Sequence, residues 1–162
     1  MGIDAEEPLY NELAQLAKAI GSWPIRIQPD NRIMYHISAV LAGGSIAAII
    51  QVASELWGAS VESSGTESGL GNHALLPLVK STVESVNRFG ISDALTGPFV
   101  RGDKGTVVRH LEALSSVAPN MVPLYCQLAL AQLSIARATG KLTMQRYREI
   151  DEIVKSAPVS YT

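Results

Sequence analysis

The chain has 162 residues, 47% hydrophobic and 17% charged, which is enough apolar material for one domain with a real core and argues against disorder. Its net charge is −2, and no Lys/Arg cluster offsets it, so an electrostatic nucleic-acid surface is excluded. The single cysteine, Cys126, rules out an internal disulfide framework, and no Cys/His set has zinc spacing.

Asp4, Glu6 and Glu7 stand where a secretion signal would carry basic residues, so a cytoplasmic domain is expected. Asp4 and Glu7 resemble a capping box. Leu9, Leu13, Leu16, Ala17 and Ile20 follow at helical spacing, and Gly21 ends that helix. Trp23 to Ile27 alternates like a short strand, with Pro24 at its start or edge. Pro29-Asp30 is a turn, with Asp30 as cap of a long helix over 31–57.

Between His36 and Glu55 there is no charge, close to the ~20 residues that span a bilayer. Ser38, Gly43, Gly44, Ser45, Gln51 and Ser54 interrupt it, and no basic cluster flanks it. A central core helix, or one shared with a partner subunit, is the simpler expectation. Gly43, Gly44, Ala47 and Ala48 form a small-residue face on it, suited to a homodimer interface.

The Ser/Gly-rich stretch 58–71 reads as an exposed loop. A helix follows over 72–89, starting late or kinking at Pro77 and stopping at Gly90. A turn-rich, charged segment, 94–103, then separates two apolar helical runs. Asp103 is a natural cap for a helix over 104–117. Asn120 caps the next, with Pro123 in its first turn, and Gly140 stops it. Thr143 opens a last helix to about Lys155. The tail from Ser156 reads as frayed. The sum is an all-α chain of about six helices around a long central apolar helix, with at most one short N-terminal strand. Its divisions are an N-terminal helix and strand over 1–29, a helical domain over 30–156 and a tail over 157–162. It contains no glycine-rich strand–turn–helix for a dinucleotide and no nucleophile elbow.

Candidates for chemistry are few. His36 is either a proton-exchanging group near a helix N-terminus or a histidine hydrogen-bonded in a packed junction. His110 is either a functional group or a half-exposed helix residue. Arg101-Gly102-Asp103 either presents a guanidinium and backbone N–H groups to an anion or caps a helix while Arg101 pairs with a carboxylate. His73 is a solvated residue, and Cys126 is a core residue beside Tyr125.

Five motifs carry a resemblance. They are Tyr35-His36-Ile37-Ser38-Ala39-Val40, Leu75-Leu76-Pro77-Leu78, Ala94-Leu95-Thr96-Gly97-Pro98, Arg101-Gly102-Asp103 and His110-Leu111-Glu112-Ala113-Leu114. In that order they resemble the helical C-terminal domain, a domain of unknown function, of Rossmann-type oxidoreductases. That domain is similar to the C-terminal domains of 6-phosphogluconate dehydrogenase and ketopantoate reductase relatives. The resemblance runs from about Leu13 to Val154. It implies a 6-phosphogluconate dehydrogenase C-terminal-domain-like fold that follows an NAD or NADP-binding domain, binds substrate between the two domains and dimerises. By position, His36, Thr96, Gly97, Arg101, Asp103 and His110 would face the cleft. His36 and His110 would supply acid/base or polar contact, and the others would bind substrate. Gly44 and Ser85 stand where the family pattern carries asparagines. The cofactor would be held by the N-terminal Rossmann domain and not by these residues. Segment 12–27 would then be the end of that domain or its connector. Two other functions stay open: a purely structural helical dimerisation module, and a small-molecule binding domain without redox chemistry.

Overall fold

The computed structural model describes residues 1–60 and 70–158. The expected loop 58–71 and the tail 157–162 therefore fall largely outside the described residues. The chain divides into two compact units, Met1–Ile49 and Ile50–Thr162.

The first unit opens with β1 (Gly2–Ile3), α1 (Leu9–Ala19) and β2 (Ile25–Arg26). β1 and β2 run parallel, with Gly2 opposite Ile25 and Ile3 opposite Arg26. Parallel strands cannot be joined by a hairpin, and α1 is the crossover that joins them. Ile3 and Ala17 are buried between strand and helix. The sequence pattern yields one strand here, and the structure adds β1. A two-residue strand is too short to show a period of two, so only its partner reveals it.

Neither carboxylate of the expected capping box caps α1, whose N-cap position is Pro8 with no side-chain hydrogen bond. Asp4 pairs with Arg32 instead, and Glu7 pairs with Arg26 at 2.6 Å. Arg26 also stacks 3.8 Å above the Tyr10 ring centroid. Cross-chain ion pairs have taken the groups that local propensity assigned to the helix end.

A 3-10 turn, Pro29–Asn31, leads into α2 (Arg32–Ala42), so Asp30 lies in the turn and does not cap the helix. The expected helix over 31–57 is two helices. Gly43 has φ −114° and ψ −80°, outside the helical range, and α3 (Gly44–Ser60) begins beyond it. Nor is this stretch the core, for no residue of α2 is buried. The span Pro29–Ala59 is long and apolar enough to cross a membrane by length and composition, and its most apolar window is wholly unburied. Apolar periodicity says that a face needs cover, but not what covers it.

In the second unit, α4 (Leu70–Ala94) stays helical through Pro77 and breaks at Gly90, where φ is +80°. The buried core is built by α5 (Pro98–Arg101), α6 (Lys104–Val117), α7 (Val122–Ala138) and α8 (Met144–Ser156). Val122, Cys126, Ala129, Leu133 and Ala136 recur at alternating steps of four and three, which lines them along one face of α7. The two alanines let neighbouring helices approach. Val107, Leu111 and Leu114 of α6 and Ile150 and Val154 of α8 complete the cluster, with Phe99 of α5 and Leu142 before α8. Full burial of each large side chain stabilises by roughly 1.5–3 kcal/mol. Asn120 lies in a 3-10 turn, Pro119–Met121, and not at a cap. Thr143 caps α8, its hydroxyl accepting from Arg146 N. Among the described residues the architecture is all-α with one short parallel strand pair.

Candidate functional site

The segment 94–103 is not an open loop. Pro98–Arg101 forms a single helical turn between two left-handed glycines, Gly97 at φ +110° and Gly102 at φ +69°. The turn drives Phe99 into the core at 4% exposure. Proline fixes the first φ, and glycine tolerates the entry and exit angles, so the Gly-Pro…Gly spacing builds this shape locally.

Asp103 then caps α6. Its carboxylate accepts from Thr106 N at 3.1 Å and from Thr106 Oγ1 at 2.7 Å. The hydroxyl bond first, then the backbone bond, hold the Asp103 carboxyl below its ordinary range against some desolvation. Arg101 and Arg109 add to that lowering. Of the two readings of Asp103, the cap is the one its carboxylate occupies.

An open polar groove runs beside this turn, lined by Arg101, Gly102, Asp103, Lys104, Thr143, Gln145, Arg146 and Glu149. Arg146 donates from Nη1 to the Arg101 carbonyl at 3.1 Å. Lys104 lies 3.3 Å from Glu149, whose carboxyl is lowered first by the Gln145 hydrogen bond and then by Lys104. Three cations thus line the groove against two carboxylates. One of those carboxylates is tied to a helix end and the other to Lys104.

His110 belongs to a different place. It lies seven residues beyond Asp103 on α6, which is about 10 Å along the helix. Its Nδ1 is 2.8 Å from the Tyr125 hydroxyl, and the two rings meet edge to face at 5.9 Å. Phe99 also packs on Tyr125, its ring tilted at 55° with the centroids 5.7 Å apart. Burial, and secondarily Cys126, push the Tyr125 phenol up to about 12. Together His110 and Tyr125 edge a pocket of about 420 Å³ whose other walls, among the described residues, are Leu56, Ala59, Ala113, Leu114 and Val117.

The predicted site residues therefore separate. Gly97 shapes the turn, and Thr96 beside it is exposed. Arg101 and Asp103 line the groove, while His110 lines the pocket. His36 stands in the first unit as the fifth residue of α2, exposed and past the first turn in which a helix dipole acts. Tyr35 beside it packs against Gly2, where a β-carbon would come within 2.8 Å of the ring. Sequence reasoning missed Tyr125 as a site residue and filed it with the core. Fifteen residues separate it from His110, and no periodicity links the two.

Among the described residues no group of three or more His, Cys, Asp or Glu could hold a metal ion. The strand-to-helix turn after β1 does not suit a dinucleotide. It carries Asp4, Glu6 and Glu7, has no glycine, and would repel a pyrophosphate.

A family model described as "Domain of unknown function (DUF2520)" matches residues 1–132. No curated protein and no solved structure matches the chain.

Proposed function

The chain belongs to the DUF2520 family, and from that premise we propose that it is the substrate-binding and dimerisation part of an NAD(P)-dependent oxidoreductase. In this reading a joined α/β domain holds the cofactor. The observation that carries it is the β1–α1–β2 crossover. Parallel strands occur almost only in larger sheets covered on both faces, and two strands of two residues are too few to stand alone. Trp23 before β2 is 81% exposed, and Ile25 within it is 56% exposed. A fragment of this kind fits the last crossover of a sheet continued by further strands. The 6-phosphogluconate dehydrogenase-like resemblance of the helical part supports the same reading.

Arg101 is the proposed anchor for an anionic substrate group, with Lys104 and Arg146 beside it in the groove. Gly97 and Gly102 hold the turn that presents Arg101, and Asp103 fixes that turn to α6. Thr96, exposed before the turn, is a second polar contact, and His36 and His110 are acid/base or polar candidates. No cofactor step is assigned to this chain, because the turn from β1 into α1 is acidic and lacks glycine.

The test is to extend the chain through its natural upstream reading frame and titrate NADPH and NADH by fluorescence. Saturable binding by the longer protein and none by the 162-residue chain is expected. An upstream frame without a glycine-rich βαβ unit sinks the proposal.

A homodimer through α2 and the start of α3 completes the reading. Ile33, Met34 and Leu41 are each more than 60% exposed, and Gly44, Ala47 and Ala48 offer a close-approach surface on α3. Light scattering at micromolar concentration should give twice the chain mass, and a clean monomer overturns this part. The same face also suits a helical module with no substrate. In that case Arg101→Ala changes stability but no ligand response of the extended protein.

A further inference from the structure

We infer that the pocket edged by His110 and Tyr125 binds a small uncharged molecule with an apolar body and one carbonyl-type acceptor. Its volume of about 420 Å³ suits a small ligand. Leu56, Leu114 and Val117 supply apolar wall, and among the described residues no charged one lines it. A charged ligand would gain no counter-charge from the described walls and would cover them with its polar group instead of apolar surface. A molecule with many hydroxyls would leave most of them unpaired. The walls therefore select an apolar, neutral occupant.

The polar edge selects its one polar group. A neutral imidazole carries one N–H and a phenol one O–H, and the single His110–Tyr125 hydrogen bond uses one of the two. If the tyrosine donates, the second ring nitrogen keeps an N–H. If Nδ1 donates, the tyrosine keeps its O–H. In either tautomer one donor remains, and its complement is an acceptor such as a ketone oxygen. Phe99 holds the Tyr125 ring from the core side, so the donor is positioned before a ligand arrives. Tyr125 stays a phenol at physiological pH, which keeps that donor available.

The inference rests on the second unit alone and is tested on the 162-residue chain, so it stands or falls apart from the oxidoreductase reading. The probes are acetophenone, ethylbenzene and benzoate, followed by NMR shifts at Ala113, Leu114 and Val117. Acetophenone should bind about three- to tenfold more tightly than ethylbenzene, the worth of one hydrogen bond. Benzoate should be the weakest. The double variant His110→Leu/Tyr125→Phe keeps apolar bulk and should bring the acetophenone to ethylbenzene ratio to about one. Ala113→Leu, at an exposed helix position, should remove binding of both while circular dichroism stays unchanged. Equal affinity for acetophenone and ethylbenzene in the parent chain overturns the inference. So does a ratio that survives the double variant, benzoate binding as tightly as acetophenone, or no binding of any probe.

Discussion

Gly102 lies so close to Arg146 that a β-carbon on it would stand 2.6 Å from Arg146 Cδ, and 2.9 Å from Leu142 Cδ1. Its φ of +69° is also the left-handed conformation that side chains resist. The contact joins the end of α5 to the start of α8, and the Arg146 hydrogen bond to the Arg101 carbonyl reinforces it. Gly102→Ala should therefore destabilise the protein by about 2 kcal/mol or more, from backbone strain plus overpacking. Urea unfolding with an unchanged m-value checks it; a loss under about 0.5 kcal/mol would contradict the packing described.

Asp103 should give a pH-dependent cap. Its folded carboxyl lies below the ordinary value, so its contribution is present above the unfolded pKa. That contribution is lost as pH falls through the lowered one. Asp103→Ala should melt below the parent at neutral pH, and the gap should close in acid, below about pH 4. Melting curves across that range test the sign. A gap that widens in acid would rule out the carboxylate as the capping group.

The core lies in α5–α8 and not in the most apolar helices, which separates two kinds of leucine. Leu133 is fully buried, and Leu133→Ala should cost about 2–5 kcal/mol. Leu41 is 61% exposed on α2, and Leu41→Ala should barely move the chemical stability of the isolated chain. On the homodimer reading it should weaken association instead. Unfolding and light scattering of both variants distinguish the two roles.

Tyr125 offers a spectroscopic signature. Burial raises its phenol to about 12, so an absorbance step for phenolate should appear there and vanish in Tyr125→Phe. The sign for stability follows. The unfolded phenol ionises near its ordinary value of 10, so above that pH ionisation favours the unfolded chain. The stabilisation is lost as pH rises through the folded value.

Cys126 is buried in α7, and burial raises its thiol as well. It should react with a disulfide reagent slowly in the native chain and rapidly in urea. Native labelling as fast as unfolded labelling would place it at the surface.

Much of the second unit was legible in the residues. Asp103, Thr143, Gly90 and Gly140 mark helix ends by local chemistry, and each acts within a few residues of itself. The predicted helix over 104–117 is the observed one for that reason. The all-α class followed from helical periodicity, which is also a local property. Distant partners decided the rest. Asp4 and Glu7 look like a capping box until Arg32 and Arg26 arrive from across the first unit. The apolar stretch over 31–57 looked like a core, yet its length and composition are silent about what it packs against. Thr96 to Asp103 looked like one wall of a single site. Folding made Pro98–Arg101 a core-anchoring turn and set Arg101 in a polar groove. It set His110, two helical turns on, against Tyr125 in an apolar pocket. The sequence by itself determined where helices start, stop and turn, because those choices are made by neighbouring residues. Which side chains share a site was decided only by the tertiary structure, because His110 and Tyr125 meet through the packing of α6 on α7.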